Sequence, residues 1–314
     1  MAKEDDIFDK KQEWLDGLDS KYIIRNSKFE AELYERISKD ILPQLEVDEN
    51  GSIVSSSKNM SRFTYLLNQI FNDFTPEYST FIIGEFVSDF NKLNRYGRDY
   101  FAASEGVKRL SITPEVNSIM RQMIGLEKKG RLKSGGWLAQ IGETESIKQN
   151  IQDIATRNIT GKNDYEAFFN EMRESIKTNK DGMGVLNRKF NRESRDKLSQ
   201  YDRAVSTQYA TSLNYQAFRY SGGLINDSRQ FCCERNRKVF LIEETKRWNR
   251  ERWQGKTKNY SPLTDMGGYN CRHSPQWLTN SRAMQIRKDL KLDENGVLYS
   301  ELSKPKLNSC RRRA

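Results

Sequence analysis

Tyr220-Ser221-Gly222-Gly223, then Asp227-Ser228-Arg229-Gln230-Phe231-Cys232-Cys233, then Asn236-Arg237-Lys238-Val239-Phe240, and finally Gly267-Gly268-Tyr269-Asn270-Cys271-Arg272-His273 make up the stretch that decides the fold. It holds three of the four cysteines and the single histidine. Here the apolar period changes. Ala217–Tyr220 and Leu224–Asn226 flank a Ser-Gly-Gly turn and predict a β-hairpin. Lys238–Ile242, β-branched and aromatic, predicts a third strand. Glu243–Trp253 predicts a short helix bearing Trp248 and Trp253. The run 246–253 mixes these tryptophans with Lys246, Arg247, Arg250 and Arg252, which suits base stacking. The spacing fits better two anchors of a small core with the arginines in solvent.

Upstream the pattern is helical. Phe8, Trp14, Leu15 and Leu18 recur at helical spacing, as do Phe29, Leu33, Ile37, Ile41 and Leu42, so the first 45 residues predict helix. The Ser-rich segment to Met60 predicts a loop. Helix resumes at Ser61 with Phe63, Leu66, Leu67, Ile70 and Phe71. Thr75-Pro76-Glu77 predicts a fresh helix start, Thr as N-cap and Pro at the first turn, and Thr113-Pro114-Glu115 repeats that signal. Gly135-Gly136 predicts a turn. Ile147, Ile151 and Ile154 predict an amphipathic helix, as do Tyr165, Phe168, Met172 and Ile176. A long helix is predicted from about Glu193 to Phe218, with Leu198, Tyr201, Val205, Tyr209 and Leu213 on one face.

The fold class expected is therefore mainly α: an elongated helical N-terminal region, then a small hairpin-containing α+β module, then a basic tail. The boundaries read as 1–130, 131–219, 220–280 and 281–314. The helical stripes Phe63–Leu93 and Leu198–Phe218 are expected to pack on partner proteins or sister copies.

Charge is uneven. The 314 residues carry a net +10, yet residues 1–50 hold 8 Lys/Arg against 14 Asp/Glu, a local −6. From 281 onward 9 basic residues face 4 acidic ones, and Lys304, Lys306, Arg311, Arg312 and Arg313 end the chain in a run suited to polyanions such as DNA. A solvated tail is the plainer use of the same charges. The acidic N-terminus gives no sign of a signal peptide, and no apolar run approaches the ~20 residues of a membrane span. Four cysteines do not make a disulfide framework. A protein made in the cytoplasm is expected.

The ordered motifs Asp227-Ser228-Arg229, Phe231-Cys232, Lys238-Val239-Phe240 and Gly267–His273 resemble the C-terminal signature of phage minor head proteins of the Mu F-type head morphogenesis family. That family typically shows Asp-x-Arg, a Gly-Lys-x-Phe-like strand start and a closing Asn-Cys-Arg-Cys or Asn-Cys-Arg-His. The loop Thr160–Tyr165 before the long helix, which leads into Phe218–Gly222, is similar too. The resemblance covers roughly 145–280 and is strongest over 217–273. Arg237 departs from it, standing where the family often has Gly; Asn236, which tolerates left-handed backbone, is expected to take that role. The resemblance implies a non-catalytic virion protein inside the head near the portal vertex, present in few copies. Portal protein, capsid or scaffold proteins and the genome would be its partners, and it would act in head morphogenesis and DNA packaging or delivery, with no membrane in the assembled head.

The residues also admit other chemistry. Asp227 and Arg229 suit a buried ion pair that clasps the hairpin to the Asn270 turn; Arg229 and Arg272 alternatively suit phosphate. Alternation along an extended segment puts Cys271 and His273 on one side. Cys232, Cys233, Cys271 and His273 then supply a zinc donor set, although the spacing lacks the usual Cys-x-x-Cys knuckles. Small buried thiols beside a buried His is the plainer account, and a disulfide to Cys271 is a further alternative. No cofactor is the leading expectation. Two rival functions follow from the same residues: a nucleic-acid-binding or nuclease-like enzyme using His273, and a zinc-stabilised DNA-binding module.

Overall fold

The computed structural model describes residues 2–127, 129–302, 307 and 308. Two long helices come first, α1 (Lys3–Asp40) and α2 (Ser57–Ser104). Glu4, Asp5 and Asp6 in the first turn of α1 and Lys39 in its last turn complement the helix dipole. The expected break at Thr75-Pro76 does not occur: α2 runs straight through Pro76. An interior proline costs a helix about 3 kcal/mol. Phe71, Phe74, Tyr78 and Ile82 are buried on both sides of it, and that continuous stripe outweighs the local stop signal. α3 (Thr113–Met123) does start at its Thr-Pro, but Ile112 is the N-cap, one residue earlier than expected.

α4 (Trp137–Gly142), α5 (Glu145–Thr160), α6 (Tyr165–Ile176), α7 (Val185–Glu193) and α8 (Arg195–Ser212) follow. Asp164 caps α6, accepting from the Ala167 N–H at 2.8 Å. α8 stops short of the expected Phe218. Asn214 adopts φ 58°, and the N–H of Tyr215 reaches back to the Ala210 carbonyl at 2.9 Å, a left-handed C-terminal cap.

The chain then turns to sheet. β1 (Ala217–Ser221) is the centre strand, with β2 (Val239–Leu241) and β3 (Ser274–Leu278) antiparallel on either side. Phe218 pairs with both Phe240 and Trp277. Leu224–Asn226 is not a strand, so the expected hairpin is absent; β1 finds its partners farther along the chain. Between the strands lie three short helices, α9 (Gln230–Arg235), α10 (Ile242–Thr245) and α11 (Pro262–Asp265). A 3-10 turn at Lys246–Asn249 follows α10.

Residues 281–302 are not a tail. α12 (Asn280–Ile286) leads to a hairpin of β4 (Leu290–Leu292) and β5 (Leu298–Ser300). Ala283, Leu290 and Leu298 bury one sheet face, formed by Ala217, Val239, Leu241 and Leu278. Without them that apolar face would lie in water. Arg287 fixes the cover, pairing with Glu244 at 2.6 Å and Asp289 at 3.0 Å. Lys304, Lys306 and Arg311–Arg313, the expected DNA contacts, lie outside the described residues.

The chain groups into two compact units rather than four sequential segments. One comprises Met1–Asp16, Ser88–Ile124 and Arg195–Ala314; the other comprises Gly17–Val87 and Gly125–Ser194. In the second unit Phe29 sits among Phe74, Tyr78 and Phe81, and Tyr22 stacks on Phe86 and Phe190. In the first, Phe90 packs on Tyr201, and Lys11 forms a buried ion pair with Asp202 at 2.8 Å. The stripes expected to face partners are thus core: Phe63, Phe74, Phe86, Leu198, Val205 and Tyr209 are all buried within the chain. Among the described residues no helix is long and apolar enough to cross a membrane.

Candidate metal centre

Three donors converge in the C-terminal module. Cys232 stands on α9, and Cys271 and His273 stand on the segment that enters β3. Their ligand atoms lie within 4.8 Å of one another and all three residues are buried. The two sulfurs are 3.8 Å apart, and Cys271 Sγ is 3.7 Å from His273 Nδ1. As the alternation implied, Cys271 and His273 present their side chains to one side. Both Cys232 and Cys271 are free thiols. Cys233 does not join them. It is disulfide-bonded, and neighbours on a helix diverge by about 100°.

The surroundings are built around this cluster. Tyr220, in the centre strand, directs its hydroxyl at Cys232 Sγ (3.4 Å) and lies 3.8 Å from Cys271 Sγ. Its ring lies against the His273 imidazole at 4.7 Å. The backbone N–H groups of Gly267 and His273 both donate to Cys271 Sγ, at 3.2 and 3.5 Å. Gly267 has to be glycine, because a Cβ there would stand 2.2 Å from Cys232 Sγ. Gly222 is equally confined, with a Cβ falling 2.7 Å from His273 Cα.

The thiols differ. The Cys271 pKa is pushed well below its ordinary value, chiefly because the Cys232 thiol donates to it; His273 and Arg203 reinforce this against burial. Cys232 is pushed the other way by that shared proton and by its burial. Burial also raises Tyr220 well above the usual phenol value, and the two sulfurs add to it. His273 Nε2 is buried without a hydrogen-bond partner among the described residues.

Arg203 of α8 locks the segment in place. It donates to the carbonyls of Cys271, His273 (2.8 Å) and Thr264 (3.0 Å). Arg203 carries no sequence signal, and Gly267 is marked in the sequence only as the start of the closing motif, not for its place against Cys232. Arg203 sits beside Asp202 in an ordinary helical segment, and nothing in its spacing marks it.

The other expected residues are struts around the site. Arg229 ties α9 to the turn before β3, donating to Gln254 O at 2.7 Å and Tyr269 O at 2.6 Å. Its partner is not Asp227, which is exposed and makes no ion pair among the described residues; two carbonyls replace the expected buried carboxylate. Asn270 turns the chain with φ 56° and donates its N–H to Asp196 at 2.7 Å. Arg272 is exposed between the buried Cys271 and His273. Lys238 opens β2, its carbonyl accepting from the Tyr220 N–H at 2.9 Å. The left-handed residue is Arg237 itself, at φ 62°, while Asn236 has φ −55°. The Tyr220 carbonyl accepts from the Arg237 N–H at 2.7 Å, and that bond sets the turn.

The two tryptophans are core, as their spacing suggested. Trp248 is fully buried against Phe218, Tyr220, Phe231 and Phe240. Trp253 stacks on Phe231 at 3.9 Å and donates to Gly267 O at 2.9 Å. Arg250 and Arg252 are exposed.

Compared with family models, curated proteins and solved structures, the chain matches none.

Proposed function

We propose that this chain is a structural minor head protein of a tailed bacteriophage, held inside the head at the portal vertex and acting in head morphogenesis and genome packaging or delivery. The observation that carries this reading is the backbone at Arg237. The Mu F-type signature often has Gly before its Lys, and the residue at that place here adopts the left-handed conformation a Gly takes without cost. A glycine at that place of the signature would fit the same turn without strain. The remaining signature residues support a scaffold: Arg229 and Asn270 hold loops, and His273 is enclosed, at 2% exposure, rather than open to a substrate.

The test is location. In purified particles the chain should be present in few copies, resist protease until heads are opened, and cross-link to portal protein. Its recovery on the exterior or in tails would overturn the proposal.

The convergence of Cys232, Cys271 and His273 favours a second reading of the module, as one closed by zinc. Two thiolates each ~2.3 Å from a tetrahedral zinc stand about 3.8 Å apart, and a thiolate and an imidazole nitrogen about 3.6 Å apart. The separations of 3.8 and 3.7 Å fit. The N–H donors on Cys271 Sγ suit a thiolate. Bound zinc would cross-link α9 to the entry of β3. Metal analysis of the purified full chain, with Cys271→Ser as control, checks this.

A further inference from the structure

We propose that Tyr220 is the fourth ligand of this centre, binding the metal as a phenolate; the inference rests on the zinc reading above. A structural zinc site is four-coordinate and closed, and three donors leave one vertex to fill. Cys233 cannot fill it, being disulfide-bonded. The Tyr220 hydroxyl is 3.4 Å from Cys232 Sγ and 3.8 Å from Cys271 Sγ. An oxygen and a thiolate on one tetrahedral zinc stand about 3.5 Å apart. Tyr220 is fully buried, and among the described residues its hydroxyl has the two sulfurs, both weak acceptors, as its hydrogen-bond partners.

Charge points the same way. Arg203 is 2% exposed and, among the described residues, has carbonyl partners but no carboxylate. A buried cation needs a compensating anion. Zinc with two thiolates and a neutral imidazole has no net charge and leaves the guanidinium unanswered. A third anionic ligand gives the centre one negative charge, which Arg203 balances through the segment carrying Cys271 and His273. A Cβ on Gly267 would stand 2.2 Å from Cys232 Sγ and 2.9 Å from Cys271 Sγ, so glycine keeps that residue's own side chain off both sulfurs. On binding, the thiol and phenol protons pass to solvent.

The experiment adds zinc alone to the metal-free full-length chain at neutral pH, without reductant so that the Cys233 disulfide stays intact, and follows the ultraviolet difference spectrum with a competing chelator. A tyrosinate band should grow in proportion to zinc, one per chain. Tyr220→Phe keeps the ring against His273, Phe231 and Trp248. It should abolish the band and weaken zinc binding by roughly tenfold or more. Zinc uptake by the native chain without a tyrosinate band overturns Tyr220 as ligand and leaves the zinc reading standing. No zinc uptake at all overturns both. The native chain alone decides between these outcomes if the variant fails to fold.

Discussion

Arg203 Nε donates to the carbonyl oxygen of His273 at 2.8 Å, so a helix residue holds the backbone of the segment that carries two of the three candidate ligands. The same guanidinium also holds the Cys271 and Thr264 carbonyls. One side chain therefore satisfies three backbone groups that folding removes from water.

Arg203→Ala leaves those carbonyls unpaired, and an unsatisfied buried group costs about 1–3 kcal/mol. A loss on the order of 3 kcal/mol or more is expected in urea unfolding. Arg203→Lys should recover part of it, since an ammonium reaches some of the carbonyls but lacks the planar fork.

Arg237→Gly should stabilise the chain. The left-handed conformation costs a non-glycine residue roughly 1–2 kcal/mol, and glycine returns part of that as unfolded-state entropy. The exposed Arg237 side chain has little packing to lose. A net gain of about 0.5 kcal/mol is expected from thermal unfolding. Arg237→Val should destabilise, because a β-branched residue tolerates positive φ poorly.

Pro76→Ala should stabilise as well. Pro76 is exposed on α2 and gives its helix no N–H. Restoring that bond should add about 2 kcal/mol, read as a higher unfolding midpoint with unchanged helical circular dichroism.

Glu30 predicts a pH dependence in the second unit. Burial raises its pKa above the ordinary 4.5, while bonds from Asn187 and Thr178 pull the other way. The folded chain then binds the proton more tightly than the unfolded chain does. Its contribution to stability is fully present below 4.5 and is lost as pH rises through the raised folded value. Measured against Glu30→Gln, the native chain should lose stability across that window and change no further above it. A difference that stays constant from pH 4 to 7 would contradict the assignment.

Gly267→Ala should disrupt the Cys232–Cys271–His273 cluster with little change in the second unit. Its Cβ would overlap Cys232 Sγ, and overpacking of this kind costs about 1–3 kcal/mol. Reduced thermal stability and faster labelling of Cys232 and Cys271 by a thiol reagent are the expected readouts.

Periodic features were legible in the sequence. The helices carried by Phe29 to Ile37, by Ile147 to Ile154 and by Leu198 to Tyr209 stand where their apolar spacing put them, because a buried stripe is a local pattern. The β2 strand and the core roles of Trp248 and Trp253 were legible for the same reason. Non-local choices were not. Ser221-Gly222-Gly223 looks like a hairpin turn, yet the chain at Leu224 leaves the sheet, and β1 pairs with strands that no local pattern links to it. The residues after Asn280 read as a charged tail because Ala283, Met284, Leu290 and Leu298, which cover the sheet, are too few and too scattered to make a stripe. The site divides similarly. Cys271 and His273 follow from strand alternation, but the exclusion of Cys233 and the roles of Arg203 and Gly267 depend on α8 and α9 meeting in three dimensions.

Arg282 reaches across the first unit to the carboxylates of Glu4 and Asp5, and Gln276 donates to Asp5 at 2.7 Å. Arg282 and Asp5 are 277 positions apart. A ribosome adding ~5–20 residues each second therefore takes about 15–60 s to deliver the second partner after the first. Until residues 195 onward are made, Phe8 and its neighbours have only part of the surface that will bury them, the ring of Tyr100 among it. The second unit has all its residues in hand by position 194 and can fold while synthesis continues. Birth order and spatial order are opposed in this chain: its first residues are among the last to find their places.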